Sequence, residues 1–289
     1  GTASFGVYMH LRRKKGKRRM VAAVALALCV ALIAASGYML AQEAGQYTES
    51  AAAYGKLADH VMQKEPVQEQ EPREQDKQEN EEPQEEGAAF AAPLGAGSRL
   101  PSIDFDALLE VNLDIRAWLV CEGTGISYPV AQAEDNSYYL KRLYDGARNK
   151  AGCLFIDYEN APFTDKNTII YGHNLLDGSM FSELIGYQEQ DYYDAHPDML
   201  LATPNGGYIV EVFAAFVASP GEAGTDTSPW RISWEDDAAY SAWLEAAAER
   251  SLVETDVTVG AGDQVLTLST CIKNGRDRFI VMGRLVPAE

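Results

Sequence analysis

The chain has 289 residues, of which 46% are hydrophobic, and its formal net charge at pH 7 is −19. This length allows one medium-sized folded domain with additional segments. Because so acidic a chain repels a phosphate backbone, the charge argues against nucleic acid as a partner.

The N-terminal part combines a basic cluster with a long apolar run. Seven Lys or Arg residues lie within residues 12–19, and residues 20–41 carry no charge. A helix needs about 20 apolar residues to cross a bilayer, and positive charge stays on the cytoplasmic side. The sequence therefore predicts a cytoplasmic basic N-terminus over residues 1–19 and a single-pass transmembrane anchor over residues 20–41, with the rest of the chain extracellular. A cleaved signal peptide with small residues at 34–37 is the alternative.

The composition changes again after the apolar run. Residues 47–63 are moderately apolar and compatible with a short helix, whereas residues 64–87 consist almost wholly of Glu, Gln, Pro, Lys and Asn. Such a polar segment cannot bury enough apolar surface to offset the loss of chain entropy. We therefore predict an acidic, disordered stalk over residues 42–100 and a folded domain over residues 101–289.

The folded domain begins with a predicted helix and continues mainly as strands. Ser102 and Asp104 are candidate N-caps for an apolar-periodic helix that starts near Phe105. Short apolar runs bounded by turn residues then recur along the chain. They lie at residues 118–120, 126–130, 153–157, 167–171, 199–203, 208–218, 265–270 and 279–286. Because few long helices separate about eight strands, we predict a mainly β fold with a closed barrel.

One clear helix is predicted late in the domain, before the strand at residues 265–270. Residues 233–236 (SWED) resemble a capping box, which places Ser233 at the N-cap. Apolar and aromatic residues follow at helical spacing, among them Tyr240, Trp243 and Leu244. A stripe of this kind indicates core packing rather than a ligand site.

Two reactive side chains lie at predicted strand ends. In residues 265–271 (VLTLSTC), Leu266 and Leu268 face one side of the strand and Cys271 faces the other, more polar side. Residues 168–174 (TIIYGHN) place His173 at the end of another apolar run. A thiol becomes a strong nucleophile with a nearby base and a group that stabilises charge on the attacked carbonyl. Spacing alone does not pair residues so far apart, and a structural histidine and a buried cysteine remain the alternatives.

Several separated motifs resemble a class B sortase and occur in that family's order. They are YGHNLLDGSMF at residues 171–181, TLSTC at 267–271 with Arg278 before an apolar strand, AWL at 117–119, ISYPV at 126–130, DNSYYL at 135–140 and FIDY at 155–158. The resemblance extends over residues 104–286, which is nearly all of the predicted folded domain. It implies the sortase type of closed β-barrel, with an N-terminal helix and a late helix before the Cys271 strand.

The resemblance also implies a function for the residues that match. Cys271 would be the nucleophile of a cell-surface transpeptidase, His173 its acid and base, and Arg278 the donor to the developing oxyanion. Asn136, Leu140, Ser269 and Thr270 would line the peptide groove. The implied partners are surface proteins that carry a sorting signal, with haem-uptake proteins or pilins as candidates, and a peptidoglycan or pilin amine as acceptor. In place of the acidic residue that some class B members have shortly after the Cys, this chain has Ile272, Lys273 and Asn274.

Other classes of function stay open at this point. A membrane-anchored receptor or scaffold would use the same anchor and barrel, and a cysteine peptidase that only hydrolyses would also use Cys and His. A papain-like peptidase has its Cys before its His, which is the reverse of the order here. Cys121 and Cys153 are the only pair left for a disulfide, although each lies in an apolar run that suits a free thiol. The sequence has no zinc or EF-hand spacing, so we predict no metal and no cofactor.

Overall fold

A computed structural model describes residues 2–62, 99–272 and 276–288, with side chains from Met20 onward except at positions 21 and 22. The chain divides into two compact units, Gly1–Glu49 and Ser50–Glu289. Most of the predicted stalk, at residues 63–98, lies outside the described residues. The prediction that it is disordered therefore stays a prediction.

The first unit belongs to one long helix, α1 (Thr2–Val61). Its large apolar side chains between Met20 and Leu40 are exposed, with relative exposures of 55–72%. Within the described residues, the stretch Ala23–Val61 is the one helix that is long and apolar enough to cross a membrane. An anchor and a signal sequence both fit this finding.

The second unit is built on a closed barrel of eight strands. In sequence they are β1 (Ile115–Val120), β2 (Ser127–Ala131), β3 (Leu154–Ile156), β4 (Asn167–Gly172), β5 (Asp198–Thr203), β6 (Gly206–Ala218), β7 (Val265–Cys271) and β8 (Arg278–Pro287). Their order around the barrel is β1-β2-β3-β4-β7-β8-β6-β5. The pairs β2–β3 and β4–β7 are parallel, and the other neighbours are antiparallel. The prediction of a mainly β fold with a closed barrel is confirmed.

Alternation along the strands produces two apolar cores. Leu266 and Leu268 of β7 lie in the main core, which contains fully buried side chains such as Trp118. Because residues of opposite parity face the other side of a strand, Val265 of β7 belongs to a second core. This second core lies between strands β6 to β8 and a helix that carries Trp243.

Short helices accompany the strands of the second unit. They are α2 (Phe105–Val111), α3 (Gln190–Ala195) and α4 (Asp237–Glu249), with 3-10 helices at Tyr138–Lys141, Ser182–Gln188 and Pro220–Glu222. Asp104 caps α2 as predicted, since its Oδ1 accepts from the Ala107 N–H at 2.9 Å.

The predicted N-cap of the late helix was wrong. Asp236, not Ser233, caps α4, with its Oδ1 accepting from the Ala239 N–H at 2.8 Å. Ser233 lies before the helix, and its carbonyl accepts from the Arg231 side chain at 2.8 Å. An N-cap residue has an extended backbone and is followed directly by the first helical residue. In α4 this residue is Asp236, three positions after the N-cap that the sequence pattern indicated.

The last turns of α1 pack against the barrel within the second unit. Tyr54, Leu57 and Val61 are buried and belong to the main core. The Tyr144 hydroxyl donates to the Ala53 carbonyl at 3.1 Å, and Met62 forms an isolated β-bridge with Ile103. The domain boundary at residue 101 stays a prediction. The contacts of α1 place residues 50–62, which were predicted as part of the stalk, in the second unit.

Candidate active site

Three strand ends meet at one edge of the barrel. Because β4 and β7 are parallel neighbours, with Gly172 opposite Thr270, the residues that follow them, His173 and Cys271, lie at the same edge. Strands β7 and β8 are antiparallel, and Cys271 is the direct partner of Arg278 in their register. The topology therefore brings together side chains that are far apart in sequence.

These strand ends form a cleft of about 180 Å³. All seven residues predicted to form the site line it: Asn136, Leu140, His173, Ser269, Thr270, Cys271 and Arg278. Phe155, Tyr171 and Gly172 complete the lining. The individual roles given to these residues stay predictions.

The imidazole of His173 is fixed by a backbone carbonyl. Its Nε2 lies 2.7 Å from the Leu140 oxygen. Because a carbonyl can only accept, Nε2 carries a hydrogen and donates it. In the neutral ring the lone pair is then on Nδ1, which leaves this atom available as a base.

Cys271 and Arg278 are both half-buried at the mouth of the cleft. The side-chain amide of Asn174 donates to the Cys271 carbonyl at 3.0 Å, which ties the segment after β4 to the end of β7. Arg278 donates from Nη1 to the Asp277 carbonyl at 3.3 Å. Among the described residues Arg278 forms no ion pair.

Comparison with known proteins gives one consistent result. A family model described as Sortase domain matches residues 119–286. Sortase B of Listeria monocytogenes is 36% identical over 183 residues, which are 62% of this chain and 72% of that protein. Sortase B of Staphylococcus aureus is 30% identical over 63% of this chain and 74% of that protein.

The chain belongs to the sortase family, class B. A crystal structure of sortase B from Bacillus anthracis in complex with AAEK1 has a TM-score of 0.58, 36% identity and coverage of 68% of this chain and 89% of that chain. The S. aureus sortase B–substrate complex has a TM-score of 0.59 and 29% identity, with coverage of 63% and 84%. The predicted resemblance is confirmed, and the chain is a cysteine transpeptidase of the cell wall.

A buried carboxylate that the sequence analysis did not select organises one wall of the sortase cleft. Asp157 follows β3, and its Oδ2 accepts from the Tyr171 hydroxyl at 2.8 Å and from the Asn136 side chain at 2.9 Å. The Asn136 oxygen in turn accepts from the Tyr158 N–H at 3.0 Å. Burial, followed by the Asp157 charge, raises the pKa of Tyr171 well above its ordinary value. Tyr171 therefore stays protonated and remains a donor to Asp157.

Another contact that the sequence did not indicate joins the loop before α4 to β7. The Trp230 indole N–H donates to Ser269 Oγ at 3.1 Å. The buried amide of Asn167 holds this loop by donating to the carbonyls of Pro229 and Arg231 at 3.2 and 2.8 Å. Beside Ser269, the buried Thr270 hydroxyl has no hydrogen-bond partner among the described residues.

The cysteines outside the site are free thiols in apolar surroundings. Cys121 and Cys153 are both buried and unbridged. Burial raises the pKa of Cys121, and burial raises the pKa of Cys153 to about 12. Within the described residues no cluster of three or more His, Cys, Asp or Glu side chains could hold a metal ion.

This difference in environment predicts selective alkylation. In the folded Cys29→Ser protein at pH 8, we expect iodoacetamide to modify Cys271 and to leave Cys121 and Cys153 untouched. Burial keeps the reagent from the latter two thiols and raises their pKa, whereas Cys271 is partly exposed. Peptide mapping by mass spectrometry after short exposure measures the order of modification. In a sample unfolded in urea, all three should react. Labelling of Cys153 before Cys271 in the folded protein would contradict this assignment.

Proposed function

We propose that Cys271 attacks the backbone carbonyl of a sorting-signal peptide, forms a thioacyl intermediate and passes the acyl group to an amine. The new C–S bond forms as the peptide C–N bond breaks, and the amine later displaces the thiolate. The observation that carries this proposal is the meeting of Cys271, His173 and Arg278 in one cleft. A thiolate suits two half-reactions because it is both a nucleophile and a good leaving group.

In this proposal His173 moves the protons of both half-reactions. Its Nε2–H is held by the Leu140 carbonyl, so the Nδ1 edge of the ring takes the thiol proton and gives it to the departing amine. In the second half-reaction the same atom deprotonates the incoming amine.

Arg278 is the proposed donor to the developing oxyanion. It is the direct cross-strand partner of Cys271, so its backbone is fixed by the β7–β8 ladder before a substrate arrives. A permanently charged side chain with several N–H groups suits that role. Asn136, Leu140, Ser269 and Thr270 are the proposed lining of the peptide groove.

The proposed partners follow from the same chemistry. The acyl donors are surface proteins with a sorting signal, with haem-uptake proteins or pilins as candidates. The acceptor is a peptidoglycan or pilin amine. One related sortase B structure is described as a complex with triglycine, and this supports an α-amine as the acceptor group.

For localisation we propose a single-pass anchor over residues 20–41, with a cytoplasmic N-terminus and the catalytic domain outside the cell. The support is the basic cluster before an uncharged apolar run. Protease added to intact protoplasts should release a fragment that contains the domain. Protection of the domain would contradict this topology.

The transfer reaction is tested directly by product analysis. The full-length protein is incubated with a library of sorting-signal-like peptides, with and without triglycine, and the product masses are measured by mass spectrometry. We expect a transfer product whose mass contains the N-terminal part of the peptide plus triglycine. Hydrolysis alone, at equal rates with and without the amine, would instead favour a cysteine peptidase.

A further inference from the structure

A tyrosine in the last turns of α1 contacts the second unit at Gly152, a neighbour of His173. Tyr54 is only 6% exposed, and its hydroxyl donates to the Gly152 carbonyl at 2.7 Å. Its ring packs edge-on against Tyr128, with the centroids 5.2 Å apart. Tyr54 is therefore a fixed part of the second unit, although it is 98 residues away from Gly152 in sequence.

Gly152 lies between Tyr54 and the catalytic histidine. Its backbone has a φ of +68°, which favours glycine, and a Cβ at this position would lie 3.0 Å from His173 Cδ2. The same Cβ would lie 2.8 Å from the Tyr139 oxygen and 3.1 Å from the Leu140 oxygen. The Leu140 oxygen is the acceptor for His173 Nε2–H. The Gly152 backbone thus packs against both the His173 ring and the Leu140 carbonyl that accepts its hydrogen bond.

From these contacts we propose that Tyr54 is a positioning residue for His173. The hydroxyl of Tyr54 fixes the Gly152 carbonyl. The Gly152 backbone in turn fixes the His173 ring and the Leu140 carbonyl, so that Nδ1 of His173 faces the cleft. This inference rests on the proposed role of His173 in transpeptidation. In this proposal the last turns of α1 help to orient His173, in addition to packing against the barrel.

The chain offers a matched control on the same helix. The Tyr144 hydroxyl donates to the Ala53 carbonyl, next to Tyr54, and the Tyr144 ring lies 5.3 Å from the Tyr54 ring. Loss of this hydroxyl loosens the same helix against the same barrel but removes no contact to Gly152. Tyr54→Phe and Tyr144→Phe each keep the buried ring and delete one hydroxyl.

The test uses full-length protein in detergent and compares both variants with wild type for Tm, kcat, KM and the pH profile of kcat. Small misplacements of a catalytic group lower the rate strongly, and a typical lost hydrogen bond corresponds to about a tenfold effect. We therefore expect Tyr54→Phe to lower kcat by about tenfold with little change in KM, and to displace the pH profile. Tyr144→Phe should lower Tm by a similar amount but keep the wild-type kcat and profile.

A second measurement is independent of turnover. The ¹⁵N signals of the His173 imidazole report which ring nitrogen carries the hydrogen, so they test the positioning even if wild type gives no transfer product. We expect Tyr54→Phe to shift these signals and Tyr144→Phe to leave them unchanged. Unchanged His173 signals in Tyr54→Phe, or equal losses of kcat in both variants, would overturn the proposal.

Discussion

Cys271→Ala is expected to abolish thioacyl formation, peptide cleavage and transfer together, because all three need the sulfur atom that lies at the end of β7. His173→Ala should also lose activity, by about 10²–10⁴-fold, because the proton transfers of both half-reactions lose their acid and base. The fold should persist in both variants, since both side chains are half-buried at the cleft and outside the apolar cores. Rates with one peptide and circular dichroism of each variant measure these effects.

Cys121→Ala and Cys153→Ala are the matched controls for this prediction. Both thiols are buried in the main core, so their removal should lower the free energy of unfolding by roughly 1 kcal/mol and keep kcat near wild type. Retained turnover in Cys271→Ala would mean that the nucleophile lies elsewhere. Loss of turnover in Cys153→Ala with unchanged stability would mean that Cys153, and not Cys271, is the reactive thiol.

Arg278→Lys is expected to be severely impaired, whereas Arg276→Ala should stay near wild type. Arg278 begins β8, lines the cleft and pairs with Cys271 in the strand register. Arg276 is exposed and lies two residues before the strand. Lysine keeps the charge of Arg278 but loses the planar fork of donors, and removal of an oxyanion donor typically costs ~10²–10³ in rate.

The two arginine variants are compared by kcat/KM with one peptide and by Tm. Equal Tm values would assign the rate difference to the reaction and not to folding. Arg278→Ala adds a useful third point, because its rate should fall at least as far as that of Arg278→Lys. The opposite ranking, with Arg276→Ala impaired and Arg278→Lys active, would move the donor role to Arg276.

The barrel could be predicted because each strand carries its own signal. Alternation in β7 already separated Leu266 and Leu268 from Cys271, and that separation places the leucines in the core and the thiol at the cleft. His173 also stood at the end of a predicted strand, but its pairing with Cys271 and the choice of Arg278 came from the resemblance to class B sortases. Such a pattern is local because successive side chains of a strand point to opposite faces, although in β7 both faces are buried and only the end at Cys271 is partly exposed.

Other features depend on contacts between distant segments and had no local signal. Tyr54 joins the core only because Gly152 and Tyr128 lie against it. The moderately apolar residues 47–63 predicted a short helix but not the surface on which it packs. Asp157 supports Asn136 only because the loop after β2 meets the residue that follows β3. The capping error at Ser233 arose because two polar residues within one short segment can both begin a helix, and the backbone path decides between them.

Mass spectrometry of the enzyme trapped during turnover tests the central claim most directly. The protein is quenched in acid after mixing with a sorting-signal peptide in the absence of amine, digested, and searched for an acyl adduct. We predict an added mass equal to the N-terminal part of the peptide, located on the fragment that carries Cys271, and its disappearance within one turnover after triglycine is added. An adduct on any other residue, or transfer without an adduct in wild type and Cys271→Ala alike, would contradict the proposed mechanism.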